Sequence, residues 1–227
     1  PNQLKRLTLR PVMAQRYLVI IGDVVDSRAI ADRDGFQKRL RAVLAALNGE
    51  QSADTLASPY TLTLGDEFQV VRTRATGIFR DLIRLAADIR PVRLRFALGL
   101  GGIATAINPA QAIGMDGPAF HLARTGIDRL REDRAQCRVD GPAVLPDALI
   151  NHGLALAFSR LDSASGNRLP LVAGLLAGDS VAAIADRLGK AQQTLYKTIQ
   201  SADLNDVTGF LLAVEATLDG AMEGAGP

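Results

Sequence analysis

The apolar run Tyr17-Leu18-Val19-Ile20-Ile21 leads without a turn into Gly22-Asp23-Val24-Val25. A run of this kind reads as a buried strand, and an acid inside it contradicts full burial, because an unpartnered carboxylate is expensive to take out of water. Asp23 is therefore read as a functional group. A second acid stands in a comparable place. Leu64-Gly65-Asp66-Glu67-Phe68 forms the crest of a β-hairpin whose arms are Tyr60–Leu64 and Phe68–Arg72. Asp66 also suits a tight turn, where Gly-Asp pairs favour the required backbone angles.

The order of elements decides whether the two acids meet. After the first strand, residues 32–50 have helical periodicity, with Phe36, Leu40, Val43, Leu44 and Leu47 on one face. Residues 51–59 read as a polar loop before the hairpin. A second amphipathic helix spans 75–89 and is closed by Pro91, and a strand follows over 92–100. This βαββαβ order is the split βαβ arrangement of ferredoxin-like or palm type. In it the first strand is central and the hairpin supplies its neighbour, so Asp66 is expected beside Asp23. Two carboxylates on one pocket suit Mg²⁺ or Mn²⁺, since such hard cations take one or two protein carboxylates together with phosphate oxygens and water. A further helix within 114–130 and a strand over 134–139 extend the unit.

Character changes near Pro146. Residues 147–161, 169–176, 180–188, 192–201 and 204–218 all read as helices, and no strand signal remains. The chain thus divides into a basic flexible leader (1–16), a palm-like domain (17–145), an all-α domain (146–219) and a flexible tail (220–227). The fold class is α+β followed by all-α.

Two further features of the first domain suit a phosphate-bearing ligand. Gly101 and Gly102 end the fourth strand, where backbone is open to close approach. Arg124, on the helix after Gly117-Pro118, offers a guanidinium to phosphate oxygens. His121 nearby reads as packed or hydrogen-bonded.

The segment Ser180 to Ile199 has the mechanics of a helix-turn-helix. Small Ala185 permits close crossing, Gly189 makes the turn, and Ile184, Leu188, Leu195 and Ile199 close the joint. Lys190, Gln192, Gln193, Thr194, Tyr196 and Lys197 are left on the outer side, where a recognition helix meets base edges and phosphates of double-stranded DNA. A packing hairpin is the alternative. Charge argues against non-specific affinity, since five basic residues face eight acidic ones between Pro146 and Gly220. No acid lies between Leu188 and Ala202, however. A dimer would read two half-sites.

Global composition excludes little. A net charge of +2 makes no general case for nucleic acid. The lone Cys137 permits no internal disulfide, and no stretch approaches the roughly 20 apolar residues that cross a bilayer, so a cytoplasmic protein without a membrane partner is expected. The leader carries Lys5, Arg6, Arg10 and Arg16 but no apolar core region, unlike a signal peptide.

Four segments together resemble the SatD family: Gly22–Arg28, Leu64–Phe68, Ala97–Gly101 and Gly114–Arg124. More distantly they resemble class III nucleotide cyclase and GGDEF catalytic domains. The likeness runs from about Tyr17 to Leu218 and implies a palm-type domain followed by a helix-turn-helix. In the cyclases the matching acids hold two metal ions, which points to Asp23 and Asp66, and palm domains pair, which suggests a homodimer. The pattern departs from cyclases at Leu62, where a base-reading Lys is expected, and at His121, nearest the transition-state Asn. Arg124 is one residue short of the catalytic Arg spacing, and Leu64 replaces the first Gly of GGDEF. Metal and nucleotide binding survive these departures better than turnover does. The expectation is a DNA-binding regulator with a metal- and nucleotide-binding domain. The alternatives are a metal-dependent nucleotide enzyme targeted by its helical domain, and a scaffold without chemistry.

Overall fold

Strand β1 (Tyr17–Val24) runs through the middle of a five-stranded sheet because it is apolar on both faces, with Leu18 to Ile21 all buried. In the computed structural model, which describes residues 15–52, 54–63, 65–162 and 168–223, the strand order is β2-β3-β1-β4-β5. Here β2 is Leu56–Leu62, β3 Glu67–Arg72, β4 Leu94–Gly101 and β5 Cys137–Asp140. β1 pairs antiparallel with β3 and β4, and β5 joins β4 in parallel. The molecule is a mixed α and β structure, with eight α-helices among the described residues. The basic leader through residue 14 and the tail from 224 lie outside those residues.

β2 begins earlier than the alternation at 60–64 suggests, and runs through Pro59. An edge strand tolerates proline because one row of its N–H groups has no partner, and two register shifts here absorb the irregularity.

Two layers of helix sandwich the sheet. Leu18, Ile20, Phe68, Val70, Phe96 and Leu98 face α1 (Arg33–Glu50) and α2 (Ile78–Asp88). Val19, Ile21, Val71 and Ala97 face α3 (Pro118–Asp133), which contributes Ala119, Phe120, Ala123, Ile127 and Leu130. α3 lies close on β4 because Gly99 has no side chain. A Cβ there would sit 2.1 Å from the Ala119 carbonyl oxygen.

The apolar cluster on the α1 and α2 side continues past Pro146 into α4 (Asp147–Leu161), α5 (Arg168–Leu176), α6 (Val181–Leu188), α7 (Gln192–Ser201) and α8 (Leu204–Met222). Polar groups fix the same junction. Helix α2 starts at Gly77, which has no side chain to cap it, and the cap comes from α8 instead. Glu215 accepts from the backbone N–H groups of Gly77 and Phe79, both at 2.9 Å. One turn later Asp219 accepts from Ala75, Thr76 N–H (3.1 Å) and the Thr76 hydroxyl. Helix N-termini carry four such orphan donors, so these acids supply what the local chain lacks.

Glu215→Ala is expected to cost about 2–3 kcal/mol, the value of a lost cap together with buried N–H groups left unsatisfied. Burial pushes the Glu215 carboxyl above its usual range, and the two N–H bonds only partly offset that. A raised folded pKa means tighter proton binding in the folded state. The contribution of Glu215 is therefore full below its unfolded value and declines as pH rises through the folded one. Thermal melts of wild type and Glu215→Ala across this range check it: the gap in Tm is widest in acid.

Candidate phosphate cleft and DNA-reading helix

Three charged residues lie side by side across the sheet on the α3 face. In register, Asp23 of β1 stands opposite Glu67 of β3 on one side and Arg95 of β4 on the other. Each acid is then covered from α3. Arg131 donates to Asp23 Oδ2 through Nε (2.9 Å) and Nη2 (2.6 Å), and Arg95 donates to Oδ1 at 3.2 Å. Seven residues earlier on the helix, Arg124 holds Glu67 with two bonds, one of them at 2.9 Å. Asp23 is thus a partnered carboxylate, and its burial is offset by two guanidinium groups.

Burial would raise the Glu67 carboxyl, but the hydrogen bonds and charge of Arg124, with help from Gln69 and Thr63, hold it below its usual range. The bond to Glu67 correspondingly pushes Arg124 up. A depressed folded pKa gives stability that is present above the unfolded value, near 4.5, and lost as pH falls through the folded one. Arg124→Met is expected to remove about 1 kcal/mol at neutral pH, a small figure because Arg124 is almost half exposed. Urea unfolding at pH 7 and pH 3 checks it: the two proteins converge in acid.

Asp66 occupies the turn before β3. Its carbonyl accepts from Val24 N–H at 3.1 Å, which ties the hairpin crest to the end of β1. Asp23 and Asp66 both line a cleft of about 590 Å³, with Asp26, Arg28, Arg95 and Arg131 also in its wall. Asp66 makes no ion pair among the described residues. Two aspartates are the number of carboxylates that Mg²⁺ takes from a protein beside a phosphate ligand. One of them is already held by arginine, and no group of three or more His, Cys, Asp or Glu among the described residues is suited to a metal. The donor set therefore fits a divalent cation only in company with an anion that takes over Arg95 and Arg131.

The other residues expected in a phosphate site lie elsewhere. Arg124 borders a separate pocket of about 390 Å³, with Glu67, Gln69, His121 and Met115. Gly101 and Gly102 are at the opposite end of β4 from Arg95. Six positions at about 3.4 Å each put them roughly 20 Å from the Asp23 cleft. A Cβ on Gly101 would lie 3.0 Å from Ala119 N, so this glycine admits helix α3, while Gly102 faces open space. His121 pairs with Asp116 at 2.7 Å.

Sequence reasoning missed Glu67, Arg95 and Arg131. Period-two alternation from Asp23 through its register partners points to the first two, and Arg131 stands two helical turns after Arg124.

In the helical half, α6 begins at Ser180, whose hydroxyl accepts from Ala183 N–H at 3.2 Å. It ends at Gly189, which adopts φ 60°, and Lys190 N–H returns to the Ala185 carbonyl at 3.0 Å. That closure turns the chain sharply into α7. Ile184, Ala185, Leu195 and Ile199 are buried at the joint. Gln192, Gln193, Thr194, Lys197 and Lys190 are exposed, and Tyr196 is 52% exposed. An outward face of amide, hydroxyl and ammonium groups without an acid offers the donors and acceptors that base edges and phosphates require.

No helix among the described residues is long and apolar enough to cross a membrane. No curated protein matches the chain. Among solved structures, it is similar to the crystal structure of regulator of polyketide synthase expression from Bifidobacterium adolescentis. The two share 14% identity over 91% of this chain and 87% of that one, with a TM-score of 0.26. At that TM-score the likeness bears neither on fold nor on function. The SatD family model matches residues 17–141, which include β1 with Asp23, the hairpin with Asp66 and Glu67, and α3 with Arg124 and Arg131. Over more than half its length, then, this chain answers to one family description, and it belongs to the SatD family.

Proposed function

We propose that this chain is a DNA-binding regulator in which a ferredoxin-like, palm-type sheet senses a nucleotide or other phosphate-bearing ligand. The observation that carries the DNA part is the exposed, acid-free outer face of α7 behind a capped, tightly turned α6. α7 acts as the recognition helix, with Gln192 and Gln193 near base edges and Lys190 and Lys197 near phosphates. Two copies would present two such helices to paired half-sites.

The ligand part rests on the cleft shared by Asp23 and Asp66. A phosphate entering it would compete with Asp23 for Arg95 and Arg131, and Asp23 and Asp66 would be the residues to hold Mg²⁺ or Mn²⁺, which would supply neutralising charge to the phosphate. Because the start of α2 is joined to α8 through Glu215 and Asp219, and α8 packs on α7, a shift at α2 has a packed route to α7.

Fluorescence anisotropy over DNA from the protein's own promoter region tests the first part. Saturable binding at low salt is expected, and its absence removes the DNA reading. A thermal-shift screen of nucleoside triphosphates and inorganic phosphate, with and without Mg²⁺, tests the second, since a ligand that prefers the folded state raises Tm. The joint presence of Asp23 and Asp66 on one cleft also favours an alternative, a metal-dependent nucleotide enzyme. Product formation from any triphosphate that is lost in Asp66→Ala would select it.

A further inference from the structure

A cleft of about 540 Å³ lies where the sheet half meets the helical half, a size and a position typical of small-molecule sites. Helix α2 and the last residue of α1 form one wall. The other comes from α5, the turn after it and the end of α6, with Pro170, Ala173, Ala177 and Leu188 as its apolar part. This cleft shares no residue with the one that holds Asp23 and Asp66.

Its charged side chains are only partly engaged. Arg84 donates from Nη1 to Glu50, while its Nε stands 3.7 Å from Asp88, too far for a hydrogen bond. Arg187 donates from Nη1 to Asp179 Oδ2 at 2.7 Å. Among the described residues, Nε and Nη2 of both arginines make no hydrogen bond, and the Asp88 carboxylate accepts none. Arg80, the third arginine of the cleft, differs, because its Nε and Nη2 both go to buried Asp81. The backbone makes room for Arg187. A Cβ on Gly174 would lie 2.7 Å from Nη2.

The open valences carry both signs. Glu50, Asp88 and Asp179 balance the three arginines, so a simple anion drawn to Arg84 or Arg187 meets an acid beside each. A ligand that is itself neutral but carries a carboxylate and an ammonium satisfies both kinds of group. Arg84 and Asp88 stand one turn apart on α2, which presents a cation and an anion side by side. We propose that this cleft binds a free amino acid with an apolar side chain. Its carboxylate accepts from the open nitrogens of Arg84 and Arg187, its ammonium donates to Asp88, and its side chain lies on Pro170, Ala173 and Leu188. Because the walls belong to α2 and to α5 and α6, occupancy ties the sheet to the helix that precedes α7. The site stands whether or not α7 reads DNA, and whether or not the Asp23 cleft takes phosphate.

Thermal melts and titration calorimetry of the full chain with L-leucine, L-valine and L-phenylalanine test it. At least one is expected to raise Tm by about 3–10 °C at about 10 mM, as a ligand of dissociation constant between about 0.1 and 1 mM does. Isocaproate, which lacks the ammonium of leucine, and isoamylamine, which lacks the carboxylate, are expected to leave Tm unchanged. Arg84→Gln/Arg187→Gln is expected to lose the response. So is Ala177→Trp, which fills the cleft without altering its charge. Without ligand both variants are expected to melt within about 4 °C of wild type, because the altered side chains are partly or fully exposed. No shift with any of the three amino acids, an equal shift with isocaproate, or a shift that survives in both variants would each overturn the proposal. The response of the same variants to nucleoside triphosphates with Mg²⁺, measured in parallel, reports on the Asp23 cleft separately.

Discussion

Asp81→Leu is expected to destabilise the fold by about 3–5 kcal/mol, the largest effect of any single substitution considered for this molecule. Arg72 is wholly buried on the α1 and α2 side of β3, and Asp81, in the first turn of α2, is 1% exposed. Arg72 Nη1 donates to Asp81 Oδ2 at 2.9 Å, while its other nitrogens reach the carbonyls of Arg74 and Thr76. Gln51 and the Tyr60 hydroxyl donate to the same Oδ2, and the Tyr60 hydroxyl is pushed up by burial and by the Asp81 charge. Removing the carboxylate leaves a desolvated guanidinium with carbonyl partners alone, strips Gln51 and Tyr60 of their acceptor, and releases Arg80, which donates to Oδ1 at 3.0 and 2.8 Å. The melting temperature should fall on the order of 10 °C for a chain of this size. Arg72→Met/Asp81→Leu should recover much of the loss, because two apolar side chains leave no buried charge behind. Urea unfolding followed by circular dichroism decides. A single variant within 1 kcal/mol of wild type, roughly the worth of an exposed pair, would show that water reaches the pair.

How much of this was legible in the sequence depends on the range of the interaction. The α6 and α7 bounds follow from local signals, a Ser cap at 180 and a left-handed Gly at 189, and both are where the pattern puts them. Asp23 was conspicuous because an acid in an apolar strand violates a local rule. Its partners were not, since Arg95 and Arg131 reach it only after register and helix packing are set. Glu67 was overshadowed by Asp66 for a similar reason. Which of two adjacent acids faces Asp23 depends on where the turn ends and the strand begins, and one residue of register reverses the answer. The glycines of β4 suggested an approaching ligand, whereas at Gly99 and Gly101 what approaches is helix α3. The caps that Glu215 and Asp219 provide to α2 span more than 130 residues of chain and leave no local trace.

The second large effect concerns α7, and it separates a DNA reader from a packing hairpin. If Gln193 contacts a base edge, Gln193→Ala costs about 1–3 kcal/mol on the preferred sequence and relaxes discrimination at one position. If Lys197 contacts phosphate, Lys197→Ala weakens every sequence alike and lowers the slope of log K against log salt by about 1. Both side chains are exposed, and neither lends itself to the core, so stability should be untouched. The excess of eight acids over five bases in the helical half limits how many phosphates one copy can neutralise. The salt slope should therefore be shallow, and affinity for a single half-site modest. A packing hairpin makes the opposite forecast. Equal binding by wild type, Gln193→Ala and Lys197→Ala at matched salt would mean that α7 does not touch DNA. Retention would then have to come from another basic surface, with Arg28, Arg95 and Arg131 around the Asp23 cleft the next to test.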